Sequence, residues 1–424
     1  MDIFESILET VPIPPLCQVR QSFLRPRIED VEQEVLEKLH EGRLLSGIRS
    51  GWTVAITVGS RGISNQPLVV RAVVGELKKR GAQPFLIPAM GSHGGATADG
   101  QRELLLRMGF GEDAIGAPIR SSMEVVHLGT TRSGLPVFID KYAYEADTIV
   151  VLNRIKPHVS FRGRYESGLM KMIAIGLGKQ RGADACHDAG FGEMPENIHD
   201  IARFVFDHCN IAFGVGMLEN PYHETCGIEI LSADEIPEKE KELLEKAKQL
   251  LPRLYFSSLD VLVVDEIGKD ISGTGMDNNI IGRYTTPYPS GGPRITKIAV
   301  LGLTAATHGN ANGLGVADFT TSRVFESFDF EQTYPNSLTS TATLSVKIPM
   351  VLRSDRHAIQ AAIKTCNIPE KRDVRLVRIK NTLQLDTILV SPSLIEEVKG
   401  SDDMKIIGEA ETMKFDNRGN LLRS

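Results

Sequence analysis

The sequence has no Cys-x-x-Cys pair. Its five cysteines, Cys17, Cys186, Cys209, Cys226 and Cys366, are scattered and odd in number. They indicate neither a structural zinc site nor a disulfide framework, and a reducing cytoplasm is the simplest home. No run approaches the roughly 20 continuous apolar residues of a membrane helix. Residues 1–27 begin with acids and break at Pro12, Pro14 and Pro15. They lack a basic segment ahead of an apolar core, so no secretory signal is expected. A basic excess is also missing. Lys and Arg number 48 against 54 Asp and Glu, a net charge of −6, which argues against nucleic acid as the main partner. There is no internal repeat and no low-complexity segment.

What is present is an ordinary globular composition, 42% hydrophobic and 24% charged over 424 residues. That length exceeds one compact core and points to two domains. Residues 52–58 (WTVAITV) read as a buried strand. Residues 67–80 (PLVVRAVVGELKKR) show apolar positions at helical spacing, opened by Pro67 and closed by Gly81. A strand over 83–88, a helix over 98–108 and a strand over 148–152 follow. This alternation implies parallel strands with crossover helices. Loops after strand C-termini then form the ligand crevice, here residues 59–65, 91–97 and 153–164. The charged stretch 238–251 reads as a solvated or interdomain helix. Strands are expected over 259–265 and 296–303, with polar loops over 268–282 and 304–315, and two β-like runs within 370–393. The expected architecture is two α/β domains with mainly parallel sheets, residues 1–256 and 257–424. The active site is expected in the interdomain cleft, with a hinge near Pro252 and Ser257.

Three post-strand segments carry the candidate chemistry. The first, VGSRGISN, places Arg61 among small residues, where a guanidinium suits bidentate grip of a carboxylate or phosphate and a structural salt bridge is the plain alternative. The second, AMGSHGGAT, surrounds His93 with glycines that let backbone approach a ligand. It is neither a Walker loop nor the dinucleotide fingerprint, which removes the NAD-dehydrogenase reading. The third, residues 157–187, holds His158, Lys171 and His187: groups able to act as base, nucleophile and metal ligand. Lys171 lies in an apolar run. Buried, its amine would lose its proton and become nucleophilic; snorkelling to solvent, it would be an ordinary surface lysine.

In this order, the segments resemble the nickel-dependent lactate racemase family, most clearly in the N-terminal half. The resemblance implies a racemase or epimerase that uses a nickel pincer nucleotide, a pyridinium mononucleotide bound covalently through Lys171, with His187 completing the nickel coordination. Ser60 and Ser92 are the further cofactor-binding candidates. His93 and His158 would be the two acid–base residues on opposite faces of the substrate, and Arg61 would anchor its carboxylate. It also implies cofactor-making proteins as partners, beside a small hydroxy-acid substrate.

The sequence departs from the family at several positions. Val58 stands where an acidic residue usually precedes the Arg by three. The interval from His158 to Lys171 is longer than in lactate racemase, and Leu169 and Met170 replace expected glycines. In the second domain Gly282 and Thr285 fall at the family's Gln and Lys, with Arg283 nearby as a substitute cation, and His308 lies in a His-Gly turn like the family's. The cofactor residues are kept and the substrate-contacting ones change, so the expected substrate is a 2-hydroxy acid other than lactate. Two other readings compete. One is a metal-assisted hydrolase or lyase using His158, His187 and Asp184 or Asp188. The other is a non-catalytic protein closing on a small anion.

Overall fold

A computed structural model describes residues 3–42 and 44–422 of the chain. The chain forms two compact units, residues 24–251 and residues 1–23 with 252–424. Both are α/β with mainly parallel sheets.

The unit of residues 24–251 is built on five strands: β1 (Thr53–Val58), β2 (Gln83–Pro88), β3 (Thr148–Arg154), β4 (Ile211–Glu219) and β5 (Thr225–Ser232). Their order is β2-β1-β3-β4-β5. All neighbours are parallel except β4 and β5. The parallel strands are continuous Val, Ile and Leu runs because helices cover both faces. Val54, Ile56, Val58, Val150 and Leu152 are fully buried. They meet Val69, Val70, Val73 and Leu77 of helix α1 (Gln66–Lys79), whose apolar positions repeat at helical spacing. Pro67 opens α1, and Gly81 turns the chain after it at φ +76.

Helix α2 (Ala98–Arg107) follows β2, capped by the Thr97 hydroxyl, which accepts from the Gly100 amide at 3.1 Å. From β1 the chain crosses over to β2; from β3 it passes through α3 (Lys179–His187) and α4 (Gly190–His208) to β4, on the other side. The direction of winding therefore reverses between β1 and β3. The crevice at their C-terminal ends is where such sheets bind ligands. Helix α5 (Ile236–Gln249) returns against β4. Its charged face gave the expectation of a solvated helix, but Ile236, Glu240, Leu243, Leu244 and Ala247 are buried.

The second unit holds eight strands in the order Met350–Leu352, Phe319–Thr321, Arg294–Val300, Ser258–Val264, Leu376–Ile379, Thr387–Val390, Leu16–Gln21 and Met404–Glu411. The first five run parallel and the remaining pairings are antiparallel. Residues 1–23 thus join 252–424 rather than the 24–251 unit. Leu16–Gln21 is hydrogen-bonded on both sides by strands from the far end of the chain, a pairing nothing local in residues 16–21 announces. None of the five cysteines forms a disulfide. No helix among the described residues is long and apolar enough to cross a membrane.

Candidate functional site

Three loops leave the C-terminal ends of β1, β2 and β3, and they carry Arg61, His93 and His158 respectively. The β1 loop is pinned from the far side of the sheet. The Ser64 amide donates to Glu219 at 2.7 Å, Asn65 Nδ2 donates to Thr225 Oγ1 at 3.1 Å, and Arg154 pairs with the same Glu219. Ser60, in this loop, bonds through Oγ to Nδ1 of His93 in the β2 loop. Ser60, one of the cofactor-binding candidates, thereby also orients a candidate base. Ser92 is partly buried beside it. Gly59 comes close to the Lys171 segment: a Cβ there would sit 3.3 Å from Cε of Met172.

The chain after β3 forms a helical turn, Leu169–Lys171, that passes into a π-turn, Met172–Gly176. Such turns recur at functional sites because they change which side chains share a face. Two groups hold this start. Asn153 Nδ2 donates to the Gly168 carbonyl at 2.9 Å, and the Met170 amide donates to Glu240 Oε2 of α5 at 2.8 Å. Glu240 is almost fully buried, and burial pushes its carboxyl up to about 7 against the pull of the Met170 and Leu169 amides.

A carboxyl with a folded pKa above its unfolded one gives stability that is present at low pH and lost as pH rises through about 4.5 to 7. Glu240→Gln should therefore flatten this dependence. The difference between stability at pH 5 and at pH 8 should shrink by up to about 3 kcal/mol, as measured by urea unfolding at the two pH values.

Lys171 Nζ lies 2.8 Å from His158 Nε2. The other ring nitrogen, Nδ1, accepts from the Ser160 amide at 3.1 Å. A neutral imidazole accepting at Nδ1 carries its proton on Nε2, so Nε2–H faces the lysine. Only an unprotonated amine can accept that hydrogen. The geometry therefore favours a neutral, nucleophilic Lys171. Burial acts in the same direction, bringing the amine down to about 8; Lys156 and Arg61 add to this and Cys186 opposes it. Burial, then the Lys171, Lys156, His187 and Arg162 charges, hold His158 well below the usual histidine range. The His158 backbone is fixed separately, its amide donating to buried Glu166 at 2.7 Å. Its ring packs on Phe161, centroids 4.4 Å apart.

His187 ends α3. Its Nδ1 lies 2.6 Å from the Ala183 carbonyl and so carries the ring proton, which leaves the Nε2 lone pair to meet a ligand. Burial lowers its pKa, favouring that neutral form. Phe191 stands edge-on to the ring at 5.6 Å. Among the described residues no three His, Cys, Asp or Glu side chains gather as a metal site. The hydrolase reading with His158, His187 and a nearby Asp therefore lacks its ligand set.

Arg283 and His308 belong to the other unit. The Arg283 guanidinium bonds Asp318 Oδ2 at 2.6 Å and the carbonyls of Val316, Ile295 and Thr296. These contacts clamp Arg283 to the Arg294–Val300 strand and to Asp318. His308 is exposed, at φ +50, ending a short 3-10 turn.

A family model described as the lactate racemase N-terminal domain matches residues 17–198, somewhat under half of the chain. Among solved structures, the lactate racemase apoprotein from Thermoanaerobacterium thermosaccharolyticum is similar at 14% identity and a TM-score of 0.49, covering 87% of this chain and 99% of that one. No curated protein matches the chain.

Proposed function

We propose, from the premise that the chain belongs to the lactate racemase family through its N-terminal domain, that it is a racemase or epimerase of a 2-hydroxy acid other than lactate. The contact between His158 and Lys171 supports this reading most directly, with His187 close enough to lower the pKa of His158 electrostatically. The residues suit a nickel pincer nucleotide in two respects. Lys171 offers an amine that burial brings down to about 8 and that His158 Nε2–H can meet in its neutral form, the form that covalent attachment requires. His187 offers one imidazole nitrogen to nickel, and the protein supplies no other gathered ligands among the described residues. A ligand set of one histidine fits a metal that arrives already held by its own carrier. When bound, that group supplies the centre that takes the substrate's C2 hydride and returns it.

The protein's own residues do the rest. Arg61 grips the carboxylate. His93, held through Nδ1 by Ser60, and His158 take and return the hydroxyl proton on the two faces of the substrate. Imidazole can take and give a proton at either ring nitrogen; His158 does so from a neutral resting form, because burial and the charges around it hold it well below the usual histidine range. Val58, fully buried at the end of β1, stands where the family usually has an acid. This supports a substrate other than lactate.

The test is intact mass and nickel content of the chain after co-expression with the cofactor-making enzymes. Wild type should carry a nucleotide-sized adduct and nickel and should racemise a member of a 2-hydroxy-acid panel. Lys171→Ala should carry no adduct. Wild type without adduct or nickel would overturn the reading and favour a non-catalytic anion-binding protein.

A further inference from the structure

Lys179 has an unusual place in this unit. It is a fully buried lysine, and its backbone is left-handed at φ +54, a conformation that a side chain with a Cβ rarely adopts. A non-glycine residue held there is a reason to ask what its side chain does. Its amine is surrounded by three acceptors: the Pro88 carbonyl at 2.8 Å, Gln101 Oε1 at 2.6 Å and Asp140 Oδ2 at 3.4 Å. Pro88 ends β2, Gln101 lies on α2, and Asp140 ends the strand Pro136–Asp140 and caps the next helix through the Ala143 amide. Lys179 itself opens α3, the helix that ends in His187.

Gln101 is also fully buried. A cation at one end of its amide requires the oxygen there, so Nε2 points the other way. It donates to two carbonyls of the β2 loop, Gly91 at 2.9 Å and His93 at 3.0 Å. Within the loop the His93 amide donates to the Met90 carbonyl and the Ala96 amide to the His93 carbonyl, both at 3.2 Å, and Gln101 adds the side-chain donors that hold the Gly91 and His93 carbonyls from α2. Gly91, Gly94, Gly95 and Ala96 all have positive φ, which breaks any regular ladder, so these turn bonds and the Gln101 amide are what fix the loop's course. The loop also packs on the lysine segments. A Cβ on Gly91 would sit 3.4 Å from that of Ala183, and one on Gly176 would sit 2.8 Å from the Ala89 carbonyl.

We propose that Gln101 and Lys179 are positioning residues for His93. Lys179 sets the direction of the Gln101 amide, the amide fixes the His93 loop, and the same lysine ties that loop to the helix bearing His187. Neither side chain reaches a reacting atom. The inference rests on the reading of His93 as a proton-handling residue, but its first measurement does not.

That measurement is hydrogen–deuterium exchange of the unloaded full-length protein, both at the backbone amides of residues 89–97 and at the imidazole Cε1 position of His93. Gln101→Glu keeps an acceptor for Lys179 and loses both donors to the loop. The loop amides should exchange about tenfold faster or more, with amides of β1 unchanged. Cε1 exchange at His93 should shift with them. Gln101→Met, which removes acceptor and donors together, is the second variant and should act in the same direction. In loaded enzyme, Gln101→Glu should lower kcat by roughly 10- to 100-fold and change KM by less than about twofold, as expected for a displaced base. Wild-type exchange rates in a folded variant would overturn the proposal. So would a wild-type loop whose amides exchange as fast as an exposed turn, a result that needs no variant. A loaded wild type without racemisation would count against the proposed activity instead and leave the exchange result to decide on positioning.

Discussion

Replacing His158 by alanine should lower turnover of the loaded enzyme by roughly 10²- to 10⁴-fold, the usual range for loss of a general acid–base group. The loss should be equal in both directions. The ratio of forward to reverse kcat/KM is fixed by the equilibrium constant, at one for a pair of enantiomers, so both directions lose kcat/KM by the same factor, and a base needed on one face of the substrate is needed for both conversions. His93→Ala should behave the same way on the opposite face. Retained cofactor separates this outcome from a general collapse. The Glu166 bond goes to the His158 backbone amide, so truncating the ring leaves that anchor in place, and intact mass should still show the adduct on Lys171. A variant with one remaining histidine should also still carry one enantiomer to the planar keto acid, which can be trapped and counted against enzyme. Equal activity in wild type and His158→Ala, with adduct present in both, would remove His158 from proton handling and leave it as the partner of Lys171 alone.

Why His158 is the more informative of the two follows from how much of the site the sequence discloses. The strand runs over 52–58 and 83–88 are legible because buried parallel strands need unbroken β-branched and aliphatic residues, and each loop carrying Arg61, His93 or His158 follows a strand that can be seen locally. Their convergence is then a consequence of sheet order. Lys171 is different. Its apolar surroundings suit a snorkelling helix as well as a buried amine, and two contacts decide the matter. One, the Ser160 amide on His158 Nδ1, depends on backbone direction. The other, the Glu240 carboxyl at the Met170 amide, comes from 70 residues further along, from a helix whose Glu-Lys pattern reads as solvated. Gln101 and Lys179 are hidden for the same reason: a Gln and a Lys in helical stretches have no local mark of burial. Arg283 shows the converse. Its nearness to an altered family position suggested a substrate cation, whereas Asp318 and three backbone carbonyls, all well separated in sequence, already surround it. The one signal open to reading was the Gly-rich frame around Lys179, since Gly176, Gly178 and Gly182 mark a segment packed closely on its neighbours.

The unloaded protein should carry one lysine of unusual reactivity. At pH 8 an ordinary amine with a pKa near 10.5 is about 0.3% unprotonated, whereas Lys171, brought down to about 8, is about half unprotonated. Limited treatment with an acetyl N-hydroxysuccinimide ester should therefore acetylate Lys171 on the order of a hundredfold faster than exposed lysines such as Lys239. The rate should level off above pH 8 rather than climbing to pH 10. His158→Phe should slow it, because the Nε2–H that favours the neutral amine is gone. The same depressed pKa has a stability consequence. Between about pH 8 and 10.5 the unfolded chain binds a proton that the folded one does not, so stability rises with pH across that window; below it, both states are protonated and the folded protein bears the cost of a buried charge. Lys171→Met should thus stabilise the unloaded protein at pH 7 by up to about 3 kcal/mol, with the gain vanishing towards pH 10.5. Denaturant unfolding at pH 7 and pH 10 reads both ends. Lys171→Met less stable than wild type at pH 7, together with acetylation no faster than at Lys239, would mean that the amine is an ordinary charged lysine, and the attachment chemistry would have to find its nucleophile elsewhere.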